Sequence, residues 1–208
     1  MKNKVEYDFI AEKLNEMYPD AHCELHYETI FQLLVAVMLS AQCTDKRVNI
    51  ITKELFKVAN TPEKMIKLSV EELEDYIKSC NYYHNKARNI LNASKDLVEK
   101  FDGQVPNDYN DLISLSGVGN KTANVILAVG FNKNALPVDT HVLRVSNRLG
   151  FVKTDNPTKC ELALKKVFKD GDFKEIHHLL LLFGRYYCTA RNPKCNDCVL
   201  KNYCKKEN

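Results

Sequence analysis

The sequence predicts an all-α protein, and three observations predict it. Apolar residues recur at helical spacing through most of its 208 residues. Capping residues and first-turn prolines open these stretches, and glycines follow them. Strict two-residue alternation between hairpin turns is missing. In chain order, residues 30–39 are apolar nearly all round, as a central buried helix requires. Thr61-Pro62 places a cap before a first-turn proline. Ser69 with Glu72 forms a capping box. Ala87, Ile90, Leu91, Leu97, Val98 and Phe101 share one helix face, and Asn107 is the expected cap of a helix carrying Leu112 and Leu115. Asn156-Pro157 opens a helix with Cys160, Ala163, Leu164, Val167 and Phe168 inward. Phe173, Ile176, Leu180, Phe183 and Tyr187 line another. Gly103, Gly150 and Gly171 mark stops. The expected total is about ten helices joined by short loops.

Composition narrows the function classes. A hydrophobic share of 45% and a charged share of 27% exclude a disordered chain. The longest wholly apolar run, residues 33–39, is far short of the about 20 residues that a membrane helix needs. Residues 1–8 show no apolar stretch behind their charges, so no export signal and a cytoplasmic location are expected. Eight cysteines in such a chain call for something other than disulfides. Cys23, Cys43, Cys80 and Cys160 are scattered and read as small buried hydrophobes. Cys188, Cys195, Cys198 and Cys204 are spaced C-x6-C-x2-C-x5-C. Charge gathers there as well. Residues 185–208 hold six basic and two acidic side chains, a net of +4, whereas the other 184 residues sum to −1. A basic segment around a structured site points to a polyanion.

One loop carries candidate chemistry: Leu115-Ser116-Gly117-Val118-Gly119-Asn120-Lys121-Thr122-Ala123, between two predicted helices. Gly117 and Gly119 are expected to turn the chain with positive φ. The first N–H groups of the following helix then face outward, where a phosphate can approach. This grips a phosphodiester without reading sequence. It is not a P-loop, which needs a lysine directly after its second glycine and a preceding strand. Lys121 falls in the first helical turn, where the helix dipole disfavours a second positive charge and partial burial adds to the effect. An amine pushed toward neutrality is a nucleophile for an electrophilic carbon. Eighteen residues later Asp139 precedes Val142, Leu143 and Val145 of the next helix. It is an N-cap, a catalytic carboxylate, or both.

These residues, with Leu136-Pro137-Val138-Asp139-Thr140-His141-Val142 and the four-cysteine tail, resemble the endonuclease III family of helix-hairpin-helix DNA glycosylases. The resemblance spans nearly the whole chain. Leu39-Ser40-Ala41-Gln42 with Thr44-Asp45, and Gly184-Arg185-Tyr186, are similar to further stretches of the family. It implies two helical domains flanking a DNA-binding cleft: a six-helix domain over residues 23–135, and an iron–sulfur domain built from residues 1–22 plus 136–208. It implies that Lys121 attacks C1′ of the damaged nucleotide and that Asp139 assists. The resulting imine leads to β-elimination 3′ to the lesion. The substrate implied is an oxidised pyrimidine or abasic site in double-stranded DNA, met by a monomer without a membrane. The target base leaves the stack to be reached. Gln42 and Tyr82 match positions that fill the vacated space. Gly117, Val118 and Gly119 would hold phosphate, and Arg191 and Lys194 the DNA backbone.

Ligand count alone leaves zinc or iron–sulfur open at Cys188, Cys195, Cys198 and Cys204. A zinc site usually shows two C-x2-C pairs where this chain has one. The resemblance implies a [4Fe–4S] cluster. The sequence also departs from the family. Ser116 stands where proline is usual, predicting a looser turn. Asn120 replaces an often basic residue, removing a phosphate contact. Tyr82 stands where an aliphatic wedge is expected, and its ring would stack on bases instead. The alternatives are a monofunctional adenine or thymine mismatch glycosylase and a non-catalytic DNA-binding protein. Mismatch enzymes typically lack the lysine and the adenine enzymes carry a further C-terminal domain, whereas here Lys121 is present and the sequence runs four residues past Cys204.

Overall fold

A computed structural model describes residues 4–169 and 171–205. Lys206 and Glu207 of the basic tail lie outside the described residues. Among the described residues all regular structure is helical. Eleven α-helices run in order: α1 (Lys4–Met17), α2 (Ile30–Ser40), α3 (Asp45–Val58), α4 (Pro62–Met65), α5 (Val70–Ile77), α6 (Tyr83–Lys100), α7 (Tyr109–Ser114), α8 (Asn120–Val125), α9 (Thr140–Arg148), α10 (Pro157–Val167) and α11 (Phe173–Tyr186). A π-helical turn, Ile126–Gly130, continues α8, and a 3₁₀ turn, Lys201–Tyr203, closes the tail. None of these helices is long and apolar enough to cross a membrane.

The chain divides into two compact units, Glu24–Lys133 and Met1–Cys23 with Asn134–Asn208. In the first, α2 is the axis: its nine residues from Phe31 to Leu39 are all buried. Val48, Ile51 and Leu55 of α3, Leu73 and Ile77 of α5, and Ala87, Ile90 and Leu97 of α6 complete that core. Gln32, the polar residue on this stretch of α2, accepts the Glu28 N–H through Oε1 at 2.8 Å. Thr61 and the Ser69–Glu72 capping box open α4 and α5 as their sequence signals require. The α7 cap is Asp108, not Asn107: Asp108 Oδ1 accepts the N–H groups of Asn110 and Asp111. The two side chains are the same length, but a carboxylate at a helix N-terminus also meets the favourable end of the dipole, and Asn107 instead offers its carbonyl to Lys133.

The second unit has its own core. Tyr7, Ile10 and Leu14 of α1 are buried with Val142 and Val145 of α9, Cys160 and Leu164 of α10, and Ile176, Leu180 and Phe183 of α11. Tyr7, Phe151 and Phe168 form an aromatic cluster, with ring centroids 5.3–6.3 Å apart. Helices α9 and α11 approach closely at Gly184, where a Cβ would meet His141 Cβ and a Val145 methyl at 3.0 Å. Gly103 and Gly150 end α6 and α9 with φ of +73°. Gly171 follows α10 without a positive φ, its N–H bonded to the Phe168 carbonyl at 2.8 Å.

Candidate active site and cysteine loop

The hairpin between α7 and α8 is shaped by its core. Leu112, Leu115, Val118 and Ala123 are all buried, and the Val118 N–H closes the turn on the Leu115 carbonyl at 3.1 Å. Val118 therefore anchors the turn, and only its backbone is left to meet a ligand. The two glycines differ from the expectation of a shared positive φ. Gly117 alone has it, at +75°, and a Cβ there would fall 2.7 Å from Asn89 Cβ on α6. Gly119 is extended, with φ −100° and ψ −179°, because it is the N-cap of α8. Nothing lies within 4 Å of a Cβ built at Gly119. Without a capping side chain, the leading N–H groups of α8 are offered to an outside acceptor.

The residues that depart from the family pattern hold the hairpin. Ser116 Oγ donates to Asn89 Oδ1 at 3.3 Å, tying the turn to α6. Asn120 Oδ1 accepts from the Tyr109 hydroxyl at 3.0 Å and from Asn124 Nδ2 at 2.8 Å, linking α7 to α8. The looser turn expected of Ser116 is countered by these bonds. Lys121 stands in the first turn of α8 and is exposed. The partial burial expected of it is not supplied by this unit, because the first turn of α8 faces solvent.

Asp139 caps α9, and Oδ1 accepts both the His141 and the Val142 N–H at 2.8 Å. Its side chain is half-buried. Since one oxygen takes both capping bonds, capping leaves Oδ2 for other chemistry.

Gln42, Tyr82 and Gly117 meet on one pocket of about 550 Å³, open solvent included, with Met38, Lys86 and Asn89. Gln42 and Tyr82 each adopt left-handed backbone, with φ of 54° and 58°. Asn81 Nδ2 donates to the Gln42 carbonyl at 3.0 Å, joining the two turns. Buried Lys86 donates to the carbonyls of Leu39 and Ala41 at 2.8 and 2.6 Å, satisfying the last turn of α2. Tyr82 is 64% exposed, so its ring is available to a partner.

Cys188, Cys195, Cys198 and Cys204 line one pocket of about 480 Å³, open solvent included, with Leu149, Phe183 and Tyr187 behind them. Among the described residues, no three histidine, cysteine or acidic side chains converge as ligands of a single ion. Four thiols around one shared space fit a cofactor held by four thiolates. Burial raises the Cys198 thiol pKa most, and the charges of Cys188, Cys204 and Cys195 raise it further. Cationic iron would offset both. Arg191 and Lys194 are exposed on this loop, the Lys194 ammonium 5.7 Å from the Tyr187 ring centroid.

Two residues that support the loop escape sequence reasoning. Arg144 Nη2 donates to the carbonyls of Gly184 and Cys188 at 2.7 and 3.2 Å. Arg148 Nη1 donates to Cys188 Sγ at 3.3 Å and to the Thr189 carbonyl at 2.7 Å. They lie one turn apart on α9, about forty residues before the cysteines they brace. Only the four-residue spacing of two arginines on a helix with an apolar face hinted at them.

Residues 35–170 match the family described as HhH-GPD superfamily base excision DNA repair protein. Residues 188–204 match the iron–sulfur binding domain of endonuclease III. Endonuclease III of Bacillus subtilis is 44% identical over 207 residues, covering 99% of this chain and 94% of that protein. The Escherichia coli K12 endonuclease III is 43% identical, covering 97% and 96%. A trapped endonuclease III–DNA covalent intermediate has a TM-score of 0.95 at 45% identity, covering 99% of this chain and 97% of the other. A non-covalent endonuclease III–DNA complex also scores 0.95, at 44% identity and with coverage of 99% and 96%. A thermostable thymine-DNA glycosylase shares the fold, with a TM-score of 0.85 at 20% identity. The chain is a member of the endonuclease III family within the HhH-GPD superfamily, and it carries that family's iron–sulfur domain.

Proposed function

We propose that this protein is a base-excision DNA glycosylase with AP lyase activity, acting on oxidised pyrimidines in duplex DNA. The observation that carries the reading is the hairpin. An exposed lysine follows a glycine-capped helix start to which a phosphate has open access. Lys121 Nζ attacks C1′ of the damaged nucleotide. The N–C1′ bond forms, the glycosidic bond breaks, and the base leaves with the bonding electrons and a proton. Opening of the sugar gives an imine whose C2′ proton is acidic. Loss of that proton breaks the C3′–O bond, and the strand is cut 3′ to the lesion. The amine must be neutral to attack. DNA covering this face would take the amine out of water, which favours its neutral form.

Asp139 acts on the same nucleotide. Oδ1 is fixed by two backbone N–H groups, and Oδ2 is left to serve as a base and to offset the positive charge that develops on the sugar. Gly117, Val118 and Gly119 hold a phosphate through their backbone. Gln42 and Tyr82 enter the duplex where the extruded base was stacked, Tyr82 by stacking rather than as an aliphatic wedge. Cys188, Cys195, Cys198 and Cys204 would hold the [4Fe–4S] cluster, which when bound fixes the loop. Arg191 and Lys194 then meet the phosphate backbone. The protein works as a monomer on DNA inside the cell. The similarity to a trapped covalent endonuclease III–DNA intermediate supports a nucleophile on the protein.

Product analysis tests this reading. With a duplex holding one thymine glycol, the expected products are free base and a strand ending in a 3′-unsaturated aldehyde. Release of the base from an uncut strand would instead indicate a monofunctional glycosylase. Binding without base release would indicate a non-catalytic DNA-binding protein.

A further inference from the structure

Two of the four scattered cysteines are not independent core thiols. Cys43 follows α2 and Cys80 precedes α6, 37 residues apart in sequence, and the Cys80 thiol donates to Cys43 Sγ at 3.3 Å. Cys80 is buried and Cys43 is partly exposed. Each lies next to one of the turns joined by the bond from Asn81 Nδ2 to the Gln42 carbonyl. The backbone on both sides is fixed: the Cys43 N–H bonds the Ser40 carbonyl at 3.1 Å, and the Cys80 N–H bonds the Ile77 carbonyl at 2.8 Å.

We propose that Cys43 and Cys80 are a reversible thiol–disulfide modification site, oxidised by low-molecular-weight disulfides and stapling the Gln42 turn to the Tyr82 turn. The inference does not depend on the glycosylase reading. Cys43 is the entry point, because it is the partly exposed sulfur of the pair and Cys80 is buried behind it. Its thiolate attacks one sulfur of glutathione disulfide; a mixed disulfide forms and one glutathione thiolate leaves. Cys80 then attacks the Cys43 sulfur. The new S–S bond forms, and the second glutathione leaves with the Cys80 proton. The pair loses two electrons and two protons, and glutathione disulfide is reduced to two thiols. A disulfide needs its sulfurs at about 2.05 Å, so the closure draws them together by only about 1.2 Å. Burial and the adjacent thiol push the Cys80 pKa up to about 12, whereas the charges of Lys86 and Arg47 oppose that rise. Cys80 is thus the resolving thiol.

The test uses the cluster-loaded protein, oxidised with glutathione disulfide, blocked with iodoacetamide and digested with trypsin. The expected product is a peptide pair linked through Cys43 and Cys80, 2 mass units lighter than its reduced parts. Dithiothreitol should remove it, with the cluster absorbance unchanged. Cys80→Ser should stop at a stable glutathione adduct on Cys43, and Cys43→Ser should show neither product. Oxidation should also raise the unfolding temperature of the wild type by several degrees and leave both variants unmoved. A wild-type protein that holds glutathione on Cys43 without linkage, or that leaves both thiols alkylated, would overturn the proposal. The mass readout on wild type stands even where a variant folds poorly.

Discussion

The hairpin and the cysteine loop, both proposed to meet DNA, are held in opposite ways. The hairpin is shaped from within: Leu112, Leu115, Val118 and Ala123 are buried beneath it, and two helices give it its backbone bonds. The cysteine loop has one 3₁₀ turn and a single fully buried apolar side chain, Leu200. Its side-chain support is Arg144 and Arg148 behind Cys188, to which a bound cluster would add four sulfur ligands. The hairpin should keep its form without any cofactor, whereas the loop should not. The proposed nucleophile, Lys121, stands on the self-supporting element.

Asp139 offers the sharpest way to break this division, because it begins the helix that braces the loop. Asp139→Asn keeps an oxygen that caps α9 but removes the charge. Turnover should fall by about 10²–10⁴ while DNA affinity and melting temperature hold. A large affinity loss would show that the carboxylate serves the loop. Next in size is removal of the iron by chelation. Amides of residues 188–204 should lose hydrogen-exchange protection while the hairpin's keep it, and duplex affinity should fall at least ~10-fold with a shallower salt dependence. Equal loss in both regions would end the distinction.

The two glycines divide the hairpin itself. Gly117→Ala meets both a positive φ and Asn89, and should lower stability by about 1–3 kcal/mol. Gly119→Ala has room and an ordinary backbone, so denaturation should show a loss under about 1 kcal/mol. Its methyl would stand where a phosphate approaches, and duplex affinity should drop. The smallest effect is one of pH. The Cys80 thiol pKa rises in the fold from 9.0 to about 12, so its contribution to stability is complete below pH 9 and is lost as pH rises toward 12. Denaturation midpoints at pH 8 and 10.5 should differ more in wild type than in Cys80→Ala.

What the sequence made legible follows the range of each interaction. Thr61, Ser69 with Glu72, and Asn156 could be read because a cap involves neighbours within three residues. The cap at α7 was misplaced by one residue because Asn107 and Asp108 are both good caps and the choice is made by the fold. Lys121, Asp139 and the four cysteines were visible as motifs. Arg148 on Cys188, Asn89 under Gly117 and Cys43 beside Cys80 were not, since each joins residues 28 to 40 positions apart. At Gly119 the sequence predicts a positive φ, whereas the residue is extended and distinguished by the open space beside it.

Borohydride trapping tests most directly whether the hairpin lysine is the nucleophile. A duplex with one abasic site is incubated with the protein and reduced with borohydride, and the adduct is digested and mapped. Wild type should yield a DNA-linked peptide modified at Lys121, and Lys121→Gln should bind the duplex with near-normal affinity and yield none. An adduct that persists in Lys121→Gln, or maps to another amine, would contradict the account.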